Sequence, residues 1–201
     1  MICREGWPWL IAAMIAAGVI FRIWGSVWSI PALLLIAWLF FLFRDPGRDV
    51  PSNPLAVVAP VDGQVVEVVR YRDGVLPGKW TRITIRTNHL GAYTVRSPIE
   101  GAILDVREQA RDVDPARLTC GLWVRSEEQD DVVLLFPGRH PRFAPKAFVR
   151  YGERVGQGQR FAYLRLASKA EVYLPATAEI RVNTGDRVLA GSSILAELAV
   201  N

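Results

Sequence analysis

Few side chains in this 201-residue sequence are suited to metal or thiol chemistry. The chain has two cysteines, Cys3 and Cys120, and two histidines, His89 and His140. Two cysteines so far apart form neither a disulfide framework nor a zinc motif. Since no dense carboxylate cluster accompanies them, we expect no metal site. His140 lies in the Arg-rich segment Gly138–Arg142, which is typical of an exposed loop and is suited to contact with anionic headgroups.

Two acidic residues occupy equivalent places in a repeated turn. The segment Ala59–Val66 reads small–Pro–aliphatic–acid–Gly–x–aliphatic–aliphatic, with Asp62 as the acid. The segment Ser97–Leu104 repeats this pattern with Glu100. An acid before glycine commonly shapes a turn and does nothing more. The repeat therefore predicts two related hairpins and leaves the role of Asp62 open.

The sequence from residue 55 onwards predicts a mostly β domain. Gly152–Gly158 resembles Gly185–Gly191, and the two glycines of each segment, six residues apart, are suited to positive φ. Short β-branched runs bounded by Gly, Pro or Asp are typical of a sandwich or barrel. Paired hairpins of this kind resemble the lipoyl-like barrel-sandwich hybrid, although no lysine at a hairpin tip indicates a carrier. The best helix candidate lies near Asp114–Cys120. The β-branched runs are Leu55–Val58, Gln64–Val69, Thr81–Arg86, Ala102–Val106, Val132–Leu135, Phe161–Leu166, Glu171–Leu174, Glu179–Val182 and Ser193–Leu198.

The N-terminal 43 residues have a different composition. They contain only three charged residues and five of the seven tryptophans. Trp7–Phe21 is an apolar run of 15 residues, and Ile23–Phe43 is a run of 21. A membrane span needs about 20 apolar residues, and tryptophan favours the lipid–water interface. We predict a transmembrane helical hairpin over residues 1–43, with one span plus a re-entrant helix as the other arrangement. A linker over 44–54 and the β domain over 55–201 follow.

The alternatives for this segment are a signal peptide and a buried core hairpin. A signal peptide would have a shorter apolar region and a small-residue cleavage site. Arg44 and Arg48 follow the second run, and cytoplasmic flanks are enriched in such charges. We therefore expect the cytoplasmic (inner) membrane, with the C-terminal domain facing the cytoplasm. A net charge of +4 without a basic run argues against a nucleic-acid partner.

A set of collinear motifs resembles the short prokaryotic form of phosphatidylserine decarboxylase. The resemblance spans nearly the whole chain, with the motifs in order and at family-like spacing. The motifs are Phe43–Pro46, Ala59–Val65, Ser97–Gly101, Gly152–Gly158, Tyr163–Pro175 and Gly185–Gly191.

This resemblance implies a self-processing lyase. A serine in the family attacks the preceding carbonyl, the resulting ester eliminates, and the chain splits to leave an N-terminal pyruvoyl group. That cofactor converts phosphatidylserine to phosphatidylethanolamine. In this sequence the matching serine is Ser168, with cleavage between Ala167 and Ser168. The resemblance also implies a membrane phospholipid as partner and suggests a homodimer.

The resemblance weakens at the residues that would do the chemistry. The family's F-G-S-R-V-D stretch matches Leu166–Glu171, where Ala167 replaces the glycine. Asp62 matches a retained acid. The family's acid and histidine before the second Pro–acid–Gly turn match Gly91 and Tyr93, so His89 is the remaining candidate for a base. Tyrosine is a poor base at neutral pH because its pKa is about 10.

These substitutions leave a second function open. A family member that has lost self-cleavage would act as a membrane-bound lipid-binding or regulatory protein. A membrane-fusion or adaptor protein is a weaker alternative, because the long helical hairpins of that class are absent from the sequence. Gly191–Ser193 resembles the processing site of long family members, but its surroundings match the hairpin that follows cleavage, so we expect a turn there.

Overall fold

The computed structural model describes Cys3 and residues 6–72, 78–88, 90–107, 118–138 and 145–199. The chain divides into two compact units, residues 1–47 and residues 48–201, and the boundary falls inside the predicted linker. His89 and His140 lie outside the described residues. The first four residues of the helix candidate Asp114–Cys120 also lie outside the described residues. Its last three residues begin a strand, so the prediction of a helix is wrong for residues 118–120.

The first unit is a hairpin of two helices, α1 (Trp7–Trp24) and α2 (Ser26–Leu42), which pack against each other. Gly25 separates them with a φ of 83°, a conformation that favours glycine. Neither helix in the described part of the chain is long and apolar enough to cross a membrane. The two helices were expected, but their transmembrane character is not supported. The break at Gly25 shortens the predicted 21-residue span to the 17 residues of α2.

The second unit is built from antiparallel strands, which confirms the prediction of a mostly β domain. The large sheet contains β2 (Gly63–Arg72), β3 (Lys79–Thr87), β5 (Gly101–Arg107), β6 (Leu118–Arg125), β7 (Asp131–Gly138), β9 (Arg154–Val155), β11 (Lys169–Pro175) and β13 (Arg187–Val188). One small sheet contains β1 (Ala56–Val58), β12 (Glu179–Ile180) and β14 (Ile194–Glu197), and the other contains β4 (Thr94–Arg96), β8 (Lys146–Ala147) and β10 (Arg160–Tyr163). The strand order is β13-β2-β3-β11-β7-β6-β5-β9 in the large sheet, and β1-β14-β12 and β4-β10-β8 in the small sheets.

The sequence repeats correspond to matching backbone hydrogen bonds. Val65 exchanges two such bonds, of 2.9 and 2.8 Å, with residues 185–186. Ile103 exchanges two, of 2.9 and 3.0 Å, with residues 152–153. Each Pro–acid–Gly hairpin therefore pairs with one of the two glycine-bracketed turns, and the second unit consists of two related halves.

The glycines of the two repeated turns are required by close packing. A Cβ atom on Gly63 would lie 2.1 Å from the carbonyl oxygen of Arg86. A Cβ atom on Gly101 would lie 2.1 Å from the carbonyl oxygen of Arg125. Because real Cβ contacts are never so short, only glycine allows each strand to start against its neighbour.

The two faces of β3 carry different side chains. Thr81, Ile83, Ile85 and Thr87 are all buried on one face, in the period-two pattern of a strand. Burial of each isoleucine contributes about 1.5–3 kcal/mol. The pattern continues to the last residue of the strand, so the Thr87 side chain also points inward, next to the loops that follow.

The opposite face of the large sheet carries a second apolar cluster with Trp80, Val133 and Tyr173 at its centre. The Tyr173 hydroxyl donates a hydrogen bond of 2.9 Å to Oε2 of Glu171. Burial, and then the charge and hydrogen bonding of Glu171, raise the pKa of Tyr173 to about 12. The folded state therefore favours the neutral phenol.

Alkaline titration will test this environment. Tyr173 should ionise at about pH 10 in the unfolded chain and near 12 in the folded one. Its contribution to stability is therefore complete below about pH 10 and is lost as the pH rises towards 12. We expect Tyr173→Phe to remove the late component of the tyrosinate absorbance, whereas the exposed control Tyr151→Phe retains it. A late component that survives in Tyr173→Phe would contradict this assignment.

Candidate active site

Two connections run side by side between the large sheet and one small sheet. Residues 88–93 join β3 to β4, and residues 164–168 join β10 to β11. Because β3 pairs with β11 and β4 pairs with β10, both connections lead from the pair β3 and β11 to the pair β4 and β10. At the small-sheet end, the Leu164 N–H donates a hydrogen bond to the Tyr93 carbonyl at 2.7 Å. We call residues 88–93 and 164–168 the paired loops.

The peptide bond between Ala167 and Ser168 is held at the other end of the paired loops. The Thr87 N–H donates to the Ser168 carbonyl at 3.1 Å. The Thr87 hydroxyl donates to the Ala167 carbonyl at 2.5 Å. Ala167 is buried and Ser168 is exposed. Arg165 precedes them with a φ of 52°, a strained value for a residue with a side chain. Thr87 thus fixes both carbonyls while the serine faces solvent.

Asp62 is buried and joins three segments through its carboxylate. Oδ2 accepts hydrogen bonds from Nη2 of Arg48 at 2.7 Å and from the Ala92 N–H at 2.8 Å. Oδ1 accepts from the Ala190 N–H at 2.8 Å. The Asp62 carbonyl also accepts from the Asn88 N–H at 2.8 Å. Asp62 therefore fixes the first of the paired loops, and its carboxylate is not bonded to Ser168.

The two substituted family positions have clear surroundings. A Cβ atom on Gly91 would lie 2.6 Å from Cβ and 2.8 Å from Oδ2 of Asp62, so position 91 has no room for a side chain. The Tyr93 ring packs on the Tyr163 ring, with centroids 6.1 Å apart. His89 belongs to the same loop but lies outside the described residues. The structure brings Asp62, Gly91, Tyr93 and Ser168 to the paired loops.

The described residues around the Ala167 carbonyl fit the formation of a pyruvoyl group from Ser168. A hydroxyl donor contacts the Ala167 carbonyl, and the adjacent serine is accessible. Among the described residues, no group of three His, Cys, Asp or Glu side chains could hold a metal ion. The sequence analysis did not identify Thr87. The alternation of Thr81, Ile83 and Ile85 before it indicates that its side chain points inward.

Comparison with known proteins gives the class of this site. The sequence profile described as phosphatidylserine decarboxylase matches residues 35–196, which include Ser168 and Thr87. The chain therefore belongs to the phosphatidylserine decarboxylase family, as its motifs predicted.

Individual relatives match along nearly their whole length. A phosphatidylserine decarboxylase proenzyme of Nitrosomonas eutropha is 32% identical over 205 residues, with 98% of this chain and 95% of the relative covered. A proenzyme of the same description from Burkholderia ambifaria is 30% identical over 210 residues, with 98% and 96% covered. Among solved structures, glucose permease IIA from Mycoplasma capricolum matches with a TM-score of 0.49 and 14% identity, covering 71% of this chain and 94% of that one.

Replacement of Asp62 will test its anchoring role. Asp62→Ala leaves the Arg48 guanidinium and two backbone amides without their acceptor, and loss of one partner of a buried ion pair costs about 3–5 kcal/mol. We expect a fall of that order in the free energy of unfolding, measured with denaturant. The control is Glu127→Gln, which removes an exposed pair with Arg154 and should change little. Equal stability of the two variants would show that Asp62 does not anchor the fold.

Proposed function

We propose that this protein is a self-processing phosphatidylserine decarboxylase, with cleavage between Ala167 and Ser168 and a pyruvoyl group derived from Ser168. The observation that carries this proposal is the contact of Thr87 with the Ala167 carbonyl beside an exposed serine. The relatives named as proenzymes support it. A pyruvoyl group supplies an electron-accepting carbonyl for loss of carbon dioxide from an amino acid headgroup.

The strand after the cleavage point keeps Ser168 in position. β11 starts at Lys169 and pairs with β3 from Lys169 opposite Arg86 to Pro175 opposite Trp80. It also pairs with β7 on its other side. A fragment that begins at residue 168 thus stays in the middle of the large sheet, and its new N-terminus remains at the paired loops.

The surroundings of Ser168 suit a phospholipid substrate. Leu90 and Leu166 lie on the paired loops and are 61% and 59% exposed. Phe148 is half exposed and packs against the ring of Tyr163, with ring centroids 5.3 Å apart and the rings tilted. Exposed apolar side chains are typical of a surface that meets lipid or protein. Here they would contact the acyl chains while the headgroup reaches Ser168.

The protein associates with the cytoplasmic side of the inner membrane through the hairpin of α1 and α2. Arg44 and Arg48 after the hairpin support this orientation. A homodimer and a barrel-sandwich arrangement of the two halves complete the proposal. Large apolar side chains exposed on the hairpin support the association, including Trp7, Trp9, Ile15, Phe21, Leu33, Leu34, Trp38 and Phe40.

The surroundings of Asp62 favour an alternative function. Both carboxylate oxygens of Asp62 already accept hydrogen bonds, from Arg48 and from two backbone amides. Gly91 and Tyr93 stand where the family has its acid and its histidine. A serine hydroxyl is a weak nucleophile without an adjacent base. If no base reaches Ser168, the protein stays whole and acts as a membrane-bound lipid-binding or regulatory protein.

Turnover of lipid vesicles separates the two functions. Purified protein is mixed with vesicles that contain phosphatidylserine, and phosphatidylethanolamine is measured together with co-sedimentation. We expect product from the wild type and none from Ser168→Ala, because the variant lacks the pyruvoyl precursor. The control Ser192→Ala alters the other candidate processing serine and should retain full activity. Vesicle binding without any product in the wild type would support the uncleaved alternative.

A further inference from the structure

We propose that the Thr87 hydroxyl is the donor that stabilises the oxyanion formed on Ala167 during self-cleavage. This inference rests on the proposed function and names a residue for its first step. The contact of 2.5 Å between Oγ1 of Thr87 and the Ala167 carbonyl oxygen is already present before any reaction. Both partners are buried, so water does not compete for the bond.

The chemistry of the step puts charge on the oxygen that Thr87 contacts. Oγ of Ser168 attacks the carbonyl carbon of Ala167, and the electron pair of the C=O bond moves to its oxygen. When the carbonyl re-forms, the C–N bond breaks and the nitrogen of Ser168 takes up the proton that the hydroxyl gave up. The product is an ester with the same atoms as the peptide. A fixed donor aimed at such an oxyanion lowers the barrier without reorganisation.

The position of Thr87 is set by the sheet. Thr87 is the last residue of β3, and the pairing of β3 with β11 starts one residue earlier, at Arg86 and Lys169. The Thr87 N–H also donates a hydrogen bond to the Ser168 carbonyl, so Thr87 binds the carbonyl groups of both Ala167 and Ser168. A β-branched side chain has few χ1 rotamers, which limits the motion of the hydroxyl.

This contact also gives a role to the alanine at position 167. Glycine at the family position is free to adopt unusual backbone conformations, and alanine is not. Here the strained φ of 52° falls on Arg165 instead, two residues before the scissile bond. The turn then presents the Ala167 carbonyl to Thr87, so the carbonyl can be oriented without a glycine at 167.

The test compares Thr87→Val, which keeps the shape and removes the donor, with Thr87→Ser, which keeps a hydroxyl. The rate at which two fragments appear after synthesis is followed by intact mass. Loss of one oxyanion donor costs about 10²–10³-fold in rate, so we expect a slowing of that size in Thr87→Val and a much smaller one in Thr87→Ser. The matched control is Thr81→Val on the same face of β3, since the buried Thr81 hydroxyl has no hydrogen-bond partner among the described residues.

A second readout is independent of cleavage. In the Ser168→Ala background, a ¹³C label on the Ala167 carbonyl reports its hydrogen bond through the infrared stretching frequency. Thr87→Val should raise this frequency, and neither Thr87→Ser nor Thr81→Val should do so. Normal cleavage in Thr87→Val would overturn the role of Thr87 alone. A wild-type chain that never cleaves would overturn the proposed function, and an intact infrared signature would then leave Thr87 as a purely structural contact.

Discussion

The antiparallel pairing of β3 with β11 is the constraint on which the candidate site depends. This pairing lies in the interior of the large sheet, and it ends where Thr87 bonds to both carbonyls around the Ala167–Ser168 bond. The nucleophile candidate and the group that polarises its target are therefore positioned by the same ladder. A small shift of this register would separate them, because successive residues of a strand point to opposite faces.

The two related halves of the second unit differ at the point where the site is built. Asp62 and Glu100 occupy the same place in the repeated turn, yet Asp62 is buried and Glu100 is exposed. Only the first half uses the acid to fasten a linker residue, a loop and a turn together. The repeated motif therefore forms a turn in both halves, but it places a buried acid next to the candidate site only in the first half.

The sequence predicts the parts of this structure that depend on local pattern. The β-branched runs predicted nine of the fourteen strands of the described residues, and the echoed turns predicted two related hairpins, whereas β4, β6, β8, β9 and β13 were not predicted. The collinear motifs predicted the family. The transmembrane span is not supported, because run length alone did not reveal the break at Gly25. The contacts of Asp62 with Ala190 and of Thr87 with Ala167 were out of reach, since they join residues distant in sequence. Local sequence patterns therefore do not predict the contacts that the candidate site residues make.

The most direct test of this account is the mass of the purified wild-type protein under denaturing conditions. We expect two chains, residues 1–167 and residues 168–201, the second with an N-terminus that lacks a free amine. Under native conditions the two should stay together, because β11 is held on both sides in the large sheet. A single chain of 22.4 kDa would contradict the central claim that the paired loops hold a self-cleaving peptide bond.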